Sequence, residues 1–165
     1  RVPMECVSWL AAFAFCVWDG GRLPTETEWN YAVSGGDEQR TYPWGEEPYD
    51  TSRAVYADTA TGVLTPVGSA PAGRGRWGHF DLGGSRKELL LDYASGDSPT
   101  PAIEAMPRPC DDCVQMTPMV GDDRAAVDIG YPQAPPTTAA RPATPKSPDI
   151  NSVVQGFRCV YLGDE

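Results

Sequence analysis

The segment Gly20-Gly21-Arg22-Leu23-Pro24-Thr25-Glu26-Thr27-Glu28-Trp29 is the most informative part of this sequence. Two glycines and a proline break the chain and lead into a helix start. Thr25 and Glu28 have the spacing of a capping box, in which each side chain accepts a hydrogen bond from the other residue's amide. The pattern predicts a helix that is capped by Thr25 and stopped by Gly35-Gly36.

An apolar segment precedes this helix. Ser8 is a good helix cap, the residues from Trp9 to Trp18 are apolar on every side, and Gly20-Gly21 follow. This predicts a core helix with both faces covered. The apolar run from Val7 to Trp18 is too short to span a bilayer, so no transmembrane segment is predicted.

The composition restricts the fold class. The chain has 165 residues with 17 glycines and 17 prolines, which excludes a helical bundle or a coiled coil. Its 41% hydrophobic content and five tryptophans argue against disorder. We therefore predict one loop-rich α+β or mostly irregular domain. Between Tyr42 and Gly78, short stretches bounded by Pro and Gly predict turns and short strands ordered by buried tryptophans.

Regular structure is less frequent in the second half. Leu89-Leu90-Leu91, running into Asp92-Tyr93, predicts a strand, and Val153–Tyr161 predicts a closing strand. The Ser-, Pro- and Ala-rich region from Ala94 to Arg108 predicts irregular chain. Tyr131–Pro148 holds six prolines, which disfavour a sheet or helix interior.

The charge favours cations over polyanions as partners. The formal net charge is −10, with 13 basic and 23 acidic residues, so no nucleic-acid interface or anionic membrane surface is expected. Acidic side chains and exposed carbonyls suit a hard ion such as calcium. Five cysteines favour an oxidising compartment, and the odd count leaves at least one thiol unpaired within the chain. The start at Arg1 fits a mature form or a fragment.

Single motifs indicate little chemistry on their own. His79 is the only histidine, and a structural role is favoured over catalysis. Cys110-Asp111-Asp112-Cys113 favours a local disulfide, with redox and metal roles as alternatives. Asp81 to Glu88 places two carboxylates around a glycine turn, which suits either a solvated turn or a hard cation.

The motifs taken together, in their order, are far more specific. They are Val7-Ser8-Trp9, Ala14-Phe15-Cys16-Val17-Trp18, Gly20 to Trp29, Tyr31-Ala32, Tyr42-Pro43-Trp44-Gly45, Pro66-Val67-Gly68-Ser69, Asp81-Leu82-Gly83-Gly84 and Gly156-Phe157-Arg158-Cys159. The set closely resembles the sulfatase-modifying factor family, also called the formylglycine-generating enzyme family. The resemblance is strong through Gly84 and weak from Ala94 to Val154.

The resemblance implies a loop-rich variant of the C-type lectin fold over residues 1–165. Family domains carry further strands before the Val-Ser-Trp motif, so the front of the domain is expected to be missing. The Pro-Cys-Asp-Asp-Cys insertion resembles a bacterial, surface-associated branch, which implies an extracytoplasmic location. Residues 120–148 depart from the family pattern, and their prolines predict a loop where the family has a core strand.

The resemblance also implies disulfides and calcium. It implies a Cys16–Cys159 bridge and, as a second bridge, Cys110–Cys113, which leaves Cys6 free. Calcium would be held by the side chains of Asp81 and Glu88 and the carbonyls of Gly84 and Arg86. A second family calcium site has an asparagine where this chain has Val55, so that site is expected to be absent or weakened.

Active family members oxidise a sulfatase cysteine to formylglycine with oxygen and copper(I). The copper is held by two cysteines in the region that corresponds here to Asp122–Ile150, which has no cysteine. Soft thiolates suit copper(I), so copper is not expected here and no catalytic residue is assigned. We therefore favour a non-catalytic binding or surface scaffold with a protein or peptide ligand. The alternative is a formylglycine-generating oxidase, and a fragment that does not fold alone is a third possibility.

Overall fold

The structure is a computed structural model that describes residues 1–56, 65–94, 113–118, 123–127, 144–146 and 155–161. The chain divides into two compact units. The first contains Arg1–Pro3 and Trp29–Arg86, and the second contains Met4–Glu28 and the strands that follow Arg86. Two α-helices and six short strands among the described residues give a mixed α+β fold.

Helix α1 spans Trp9–Trp18 and has the predicted ends. The Oγ atom of Ser8 accepts a hydrogen bond from the Ala11 amide at 3.2 Å, which satisfies one free donor of the first turn. At the other end, the Asp19 amide donates to the Phe15 carbonyl, and Gly20 adopts a φ of +84°. A left-handed residue at this point ends the helix.

The outer face of α1 is exposed, so the prediction that both faces are covered is wrong. Trp9, Ala12 and Cys16 are buried, whereas Trp18 is 79% exposed. The buried residues are spaced by three and four positions, which places them on one side of the helix. Because both sides of α1 are apolar, the sequence gives no sign of this asymmetry.

Helix α2 spans Glu26–Ser34 and begins with the predicted capping box. Thr25 Oγ1 accepts from the Glu28 amide at 3.1 Å, and Glu28 Oε2 accepts from the Thr25 amide at 2.8 Å. Gly35, with a φ of +69°, follows the helix as predicted, and a 3₁₀ turn covers Gly36–Glu38.

The second unit is built on a mixed sheet of four strands among the described residues. Strand β3 (Lys87–Tyr93) pairs antiparallel with β4 (Arg124–Val127) and parallel with β6 (Gln155–Gly156). Strand β5 (Thr144–Lys146) pairs antiparallel with β4. The strand predicted at Leu89–Tyr93 is confirmed. The closing strand is shorter than predicted, with an isolated bridge at Val160, and its first residues lie outside the described ranges.

Strands β4 and β5 lie inside the stretch 120–148, so the prediction of a loop is wrong at these positions. Ala125, Ala126 and Val127 are buried in β4. Pro145 pairs with Ala125 in β5, the edge strand of the described sheet. An edge strand tolerates proline because one of its sides needs no ladder hydrogen bond. The remaining residues of the Pro-rich segment Tyr131–Pro148 lie outside the described ranges.

The core of the second unit packs α1 against β3 and β4. Trp9 lies at its centre, where its indole Nε1 donates to the Leu90 carbonyl at 2.6 Å. The Arg124 guanidinium lies 4.0 Å above the Trp9 ring and 3.6 Å from the Tyr93 ring. The buried members of this cluster are Trp9, Ala12, Cys16, Leu23, Leu89 and Ala126.

The first unit consists mainly of turns. Strand β1 (Val55–Tyr56) pairs parallel with β2 (Gly84–Ser85), and a 3₁₀ turn covers Pro71–Gly73. A Cβ atom at Gly73 would lie 1.5 Å from the Arg53 carbonyl oxygen, so the close approach of these two backbones requires glycine.

The turns between Tyr42 and Gly78 are not ordered by buried tryptophans, contrary to the prediction. Trp77 is 45% exposed and Trp44 is half-buried. The tight turn Tyr42-Pro43-Trp44-Gly45 is instead closed by two backbone hydrogen bonds between its first and last residues. Across the ranges that the structure describes, no helix has the length and apolar character to cross a membrane.

Candidate functional site

A pair of carboxyl groups lies in the interior of the second unit. Glu26 is the first residue of α2 and Asp92 belongs to β3; they are 1% and 0% exposed. The Glu26 amide donates to Asp92 Oδ2 at 2.8 Å, and the Gln115 amide donates to Asp92 Oδ1 at 2.8 Å. Neither carboxylate oxygen of Glu26 has a hydrogen-bond partner. Backbone donors therefore stabilise a negative charge on Asp92, whereas Glu26 has no such donors.

Burial changes the proton affinity of this pair. Burial and, secondly, the charge of Asp92 raise the pKa of Glu26 from 4.5 to about 7. Burial also raises the pKa of Asp92, against the effect of the Gln115 and Glu26 amides that donate to it. A buried acid without donors favours its neutral form. The arrangement can therefore hold a proton inside the protein near neutral pH.

Arg22 forms an ion pair with Glu28, which also belongs to the segment Gly20–Trp29. Its NH1 and NH2 groups donate to Glu28 Oε2 and Oε1, each at 2.7 Å. The hydrogen bond from Arg22 is the main reason that the pKa of Glu28 is lowered. The backbone of Arg22 also exchanges two hydrogen bonds with Val160, at 3.0 and 2.8 Å. Arg22 therefore connects the start of α2 to the C-terminal segment.

Three of the predicted calcium ligands lie in the first unit. Asp81 has a φ of +59°, and its Oδ2 accepts from the Gly68 amide at 2.7 Å. Gly84 lies in β2 opposite Val55, and Arg86 directly follows that strand. A Cβ atom at Gly84 would lie 2.8 Å from the Val55 carbonyl oxygen, so this position also requires glycine.

The fourth predicted ligand, Glu88, lies in β3 of the second unit and forms an ion pair. Arg158 Nε and NH2 donate to Glu88 Oε2 and Oε1 at 2.7 and 2.5 Å. A calcium ion would have to compete with this guanidinium for both carboxylate oxygens. Within the described part of the chain, no three His, Cys, Asp or Glu residues group as a metal site. The calcium site stays a prediction.

The cysteines separate into bonded and free groups. Cys16 of α1 and Cys159 form a disulfide across a sequence separation of 143, as the resemblance implies. Cys113 is also disulfide-bonded, and Cys110, its predicted partner, lies outside the described residues. Cys6 is exposed and is the free cysteine of the described chain. The expectation that this chain does not hold copper(I) stays a prediction.

His79 and the described parts of the copper region lie in different units. His79 is exposed in the first unit, and its carbonyl accepts from the Gly75 amide at 2.9 Å. The region Asp122–Ile150 has no cysteine, and its described parts form β4 and β5.

An aromatic surface in the first unit was not predicted from the sequence. The rings of Tyr31 and Trp77 stack at 5.0 Å with an interplanar angle of 14°, although both residues are about half exposed. The Arg76 guanidinium lies 5.2 Å from the Trp77 ring and donates to Asp37 Oδ1 at 2.6 Å. This surface offers aromatic faces and both charges to a partner.

The sequence contains only weak signals of the buried carboxyl pair and of the aromatic surface. Asp92 is the one acid within an otherwise apolar strand end, which indicates a buried polar contact without naming its partner. The sequence separation of Tyr31 and Trp77 does not predict that their rings stack, because this contact depends on the geometry of the turns.

Comparison with known proteins identifies the family. A family model described as the sulfatase-modifying factor enzyme 1-like domain matches residues 1–162. The chain belongs to this family. The family resemblance of its motifs is thereby confirmed at the level of the domain.

Relatives of this chain are described with different functions. The chain is 35% identical over 127 residues to a formylglycine-generating enzyme of Thermomonospora curvata, covering 64% of this chain and 39% of that protein. It is 37% identical over 94 residues to the inactive C-alpha-formylglycine-generating enzyme 2 of Mus musculus, covering 52% and 30%. It is 40% identical over 95 residues to the serine/threonine-protein kinase pkn1 of Chlamydia caviae, covering 58% and 14%. The chain thus spans at most 39% of these relatives.

A solved structure supports the fold of this sulfatase-modifying factor-like chain. PvdO from Pseudomonas aeruginosa superimposes with a TM-score of 0.70 at 20% identity, covering 95% of this chain and 60% of PvdO. At this identity the similarity concerns the fold alone.

Proposed function

We propose that this chain is a non-catalytic sulfatase-modifying factor-like module that binds a protein or peptide partner on a C-type-lectin-like scaffold. The observation that carries the proposal is that the described part of the chain has one free thiol, whereas the copper(I) site of active family members uses two. Among the described cysteines, Cys6 alone is free, whereas Cys16, Cys113 and Cys159 are disulfide-bonded. A copper site built on two thiolates has no second ligand in this set.

The relatives support a role without oxidation. One is described as an inactive enzyme and another as a protein kinase, so similar sequences occur in proteins that are not described as active formylglycine-generating enzymes. The exposed stack of Tyr31 and Trp77 beside Arg76 supports a binding role, because aromatic and arginine side chains are enriched where proteins bind each other.

An anaerobic copper(I) titration tests this proposal. We expect no tight dithiolate copper site and no conversion of a Cys-x-Pro-x-Arg peptide to its formylglycine form, followed by mass spectrometry. The formylglycine-generating enzyme of Thermomonospora curvata serves as the positive control. A Cys6→Ser variant identifies weak copper bound by the single thiol. Tight copper together with peptide turnover would establish the alternative, a formylglycine-generating oxidase.

Calcium and an oxidising location belong to the same proposal. Calcium binding by Asp81, Gly84, Arg86 and Glu88 is expected to raise the melting temperature, and Glu88→Gln is expected to remove that rise; an unchanged melting temperature with added calcium would contradict it. The Cys16–Cys159 bridge supports an extracytoplasmic location. Mass spectrometry of the protein taken from its source under alkylating conditions should find this bridge formed.

A further inference from the structure

The Glu26–Asp92 pair has no role in the proposed binding function, yet its burial is costly. Both side chains are inaccessible, and a single hydrogen bond of 2.8 Å from the Glu26 amide joins the helix start to Asp92. An ionised carboxylate without donors is far less stable in a protein interior than a neutral acid. Such a pair is retained at a cost to stability unless one of its members stays protonated.

The hydrogen bonds decide which member holds the proton. Asp92 accepts two backbone amides, one on each oxygen, and these donors stabilise its charged form. Both oxygens of Glu26 lack a partner, so its neutral form is favoured. Consistent with this difference, the pKa of Glu26 is raised to about 7.

The same pair holds a separate segment of chain, residues 113–117. The Gln115 amide donates to Asp92 Oδ1 at 2.8 Å, and the Gln115 carbonyl accepts from the Tyr93 amide at 2.8 Å. One residue beyond Glu26, Thr27 Oγ1 donates to the Cys113 carbonyl at 3.3 Å. Cys113 itself is buried. The attachment of this segment therefore depends on residues next to the buried proton.

The other charged groups around the pair are already engaged. Glu28, whose charge raises the pKa of Asp92, is held by both terminal nitrogens of Arg22. From β4, Arg124 donates to the Leu91 carbonyl at 3.0 Å and stacks on the Tyr93 ring. These two guanidinium groups, Arg22 and Arg124, therefore already have partners other than the Glu26 carboxylate.

We propose that Glu26 and Asp92 form a pH-responsive clamp, which holds residues 113–117 while Glu26 is protonated and releases them when Glu26 ionises. Ionisation places a second negative charge beside Asp92 with no donor to meet it. In this clamp, water enters to relieve the repulsion and takes the place of the Gln115 amide at Asp92 Oδ1. The clamp is closed in mildly acidic solution and opens as the pH rises through about 7.

Hydrogen exchange followed by NMR between pH 5 and pH 8.5 tests the clamp. After correction for intrinsic exchange, the protection of the Gln115 and Tyr93 amides should fall at least tenfold across this range. The Leu91 amide, which donates to the Pro24 carbonyl in the same unit, is the internal reference. Protection that stays constant relative to Leu91 would overturn the proposal.

Two variants and a direct titration separate the clamp from general loosening. Glu26→Gln is neutral at every pH and should abolish the transition, whereas Glu28→Gln should retain it. The ¹³C carboxyl resonance of Glu26 in the wild-type chain should titrate near pH 7, so the proposal remains testable even if Glu26→Gln does not fold. A carboxyl midpoint near 4.5, or a transition that persists in Glu26→Gln, would contradict it.

Discussion

Glu26 and Glu28 lie two residues apart at the start of α2, and their ionisation changes stability in opposite directions. Glu26 is buried without donors, and its pKa is raised to about 7, so the folded state binds more protons between pH 4.5 and 7. Stability from Glu26 is therefore lost as the pH rises. Glu28 accepts from Arg22 and Thr25, and its pKa is lowered. Its contribution is present above its ordinary pKa and is lost as the pH falls.

The variant Glu26→Gln isolates the first effect. The free energy of unfolding of the wild-type chain, minus that of the variant, should fall by about 3 kcal/mol between pH 4.5 and pH 7, because one pKa unit corresponds to about 1.36 kcal/mol. Urea unfolding followed by tryptophan fluorescence at several pH values measures this difference. A difference that does not change with pH would show that Glu26 ionises normally.

The variant Glu28→Gln isolates the second effect. It removes the charge that Arg22 holds and weakens the cap on the Thr25 amide, so it should cost about 1 kcal/mol at pH 7. The cost should shrink as the pH falls below 4.5, because the unfolded wild-type chain takes up a proton on Glu28 there while the folded chain still holds the charge. Glu47→Gln, at an exposed position, is the control and should change stability by less than about 0.5 kcal/mol. Equal costs for the two variants would contradict this role.

At the scale of elements, local chemistry was predictable and burial was not. Ser8 and the Thr25–Glu28 capping box act on their own first turns, so both helix starts follow from the sequence. The exposed face of α1 depends on what the fold packs against it, which a helix that is apolar on all sides does not reveal. Strand β4 is also hard to predict from the sequence, because so short a segment forms a strand only by pairing with β3 and β5.

A matched pair of alanine variants tests the burial of β4. Ala126 is 1% exposed in the core, and Ala14 is exposed on α1. Ala126→Asp buries a charge without a partner and should cost at least about 3 kcal/mol. Ala14→Asp should cost less than about 1 kcal/mol, through helix propensity alone. Thermal unfolding followed by circular dichroism compares them, and similar melting temperatures would exclude a buried β4.

At the scale of the whole molecule, the contacts that matter join distant parts of the sequence. Glu26 and Asp92 are 66 positions apart, and Arg158 and Glu88 are 70 apart. No spacing rule connects such residues, so the carboxyl pair and the ion pair at a predicted calcium ligand emerge only from the structure. The Cys16–Cys159 bridge was predictable because the motifs around both cysteines resemble a family in which they are joined.

This bridge provides a test of how far the long-range connection stabilises the chain. It joins α1 to the residue that precedes the Val160–Arg22 backbone pairing, across a separation of 143 residues. The double variant Cys16→Ala/Cys159→Ala should lose about 4–5 kcal/mol, because the unfolded chain regains the entropy of a long loop. At roughly 2–4 °C per kcal/mol, its melting temperature should fall by roughly 8–20 °C. Cys6→Ser changes a free, exposed thiol and should melt with the wild-type chain. If the double variant also melted with the wild type, the remaining contacts of α1 with β3 and β4 would suffice to hold the C-terminal segment.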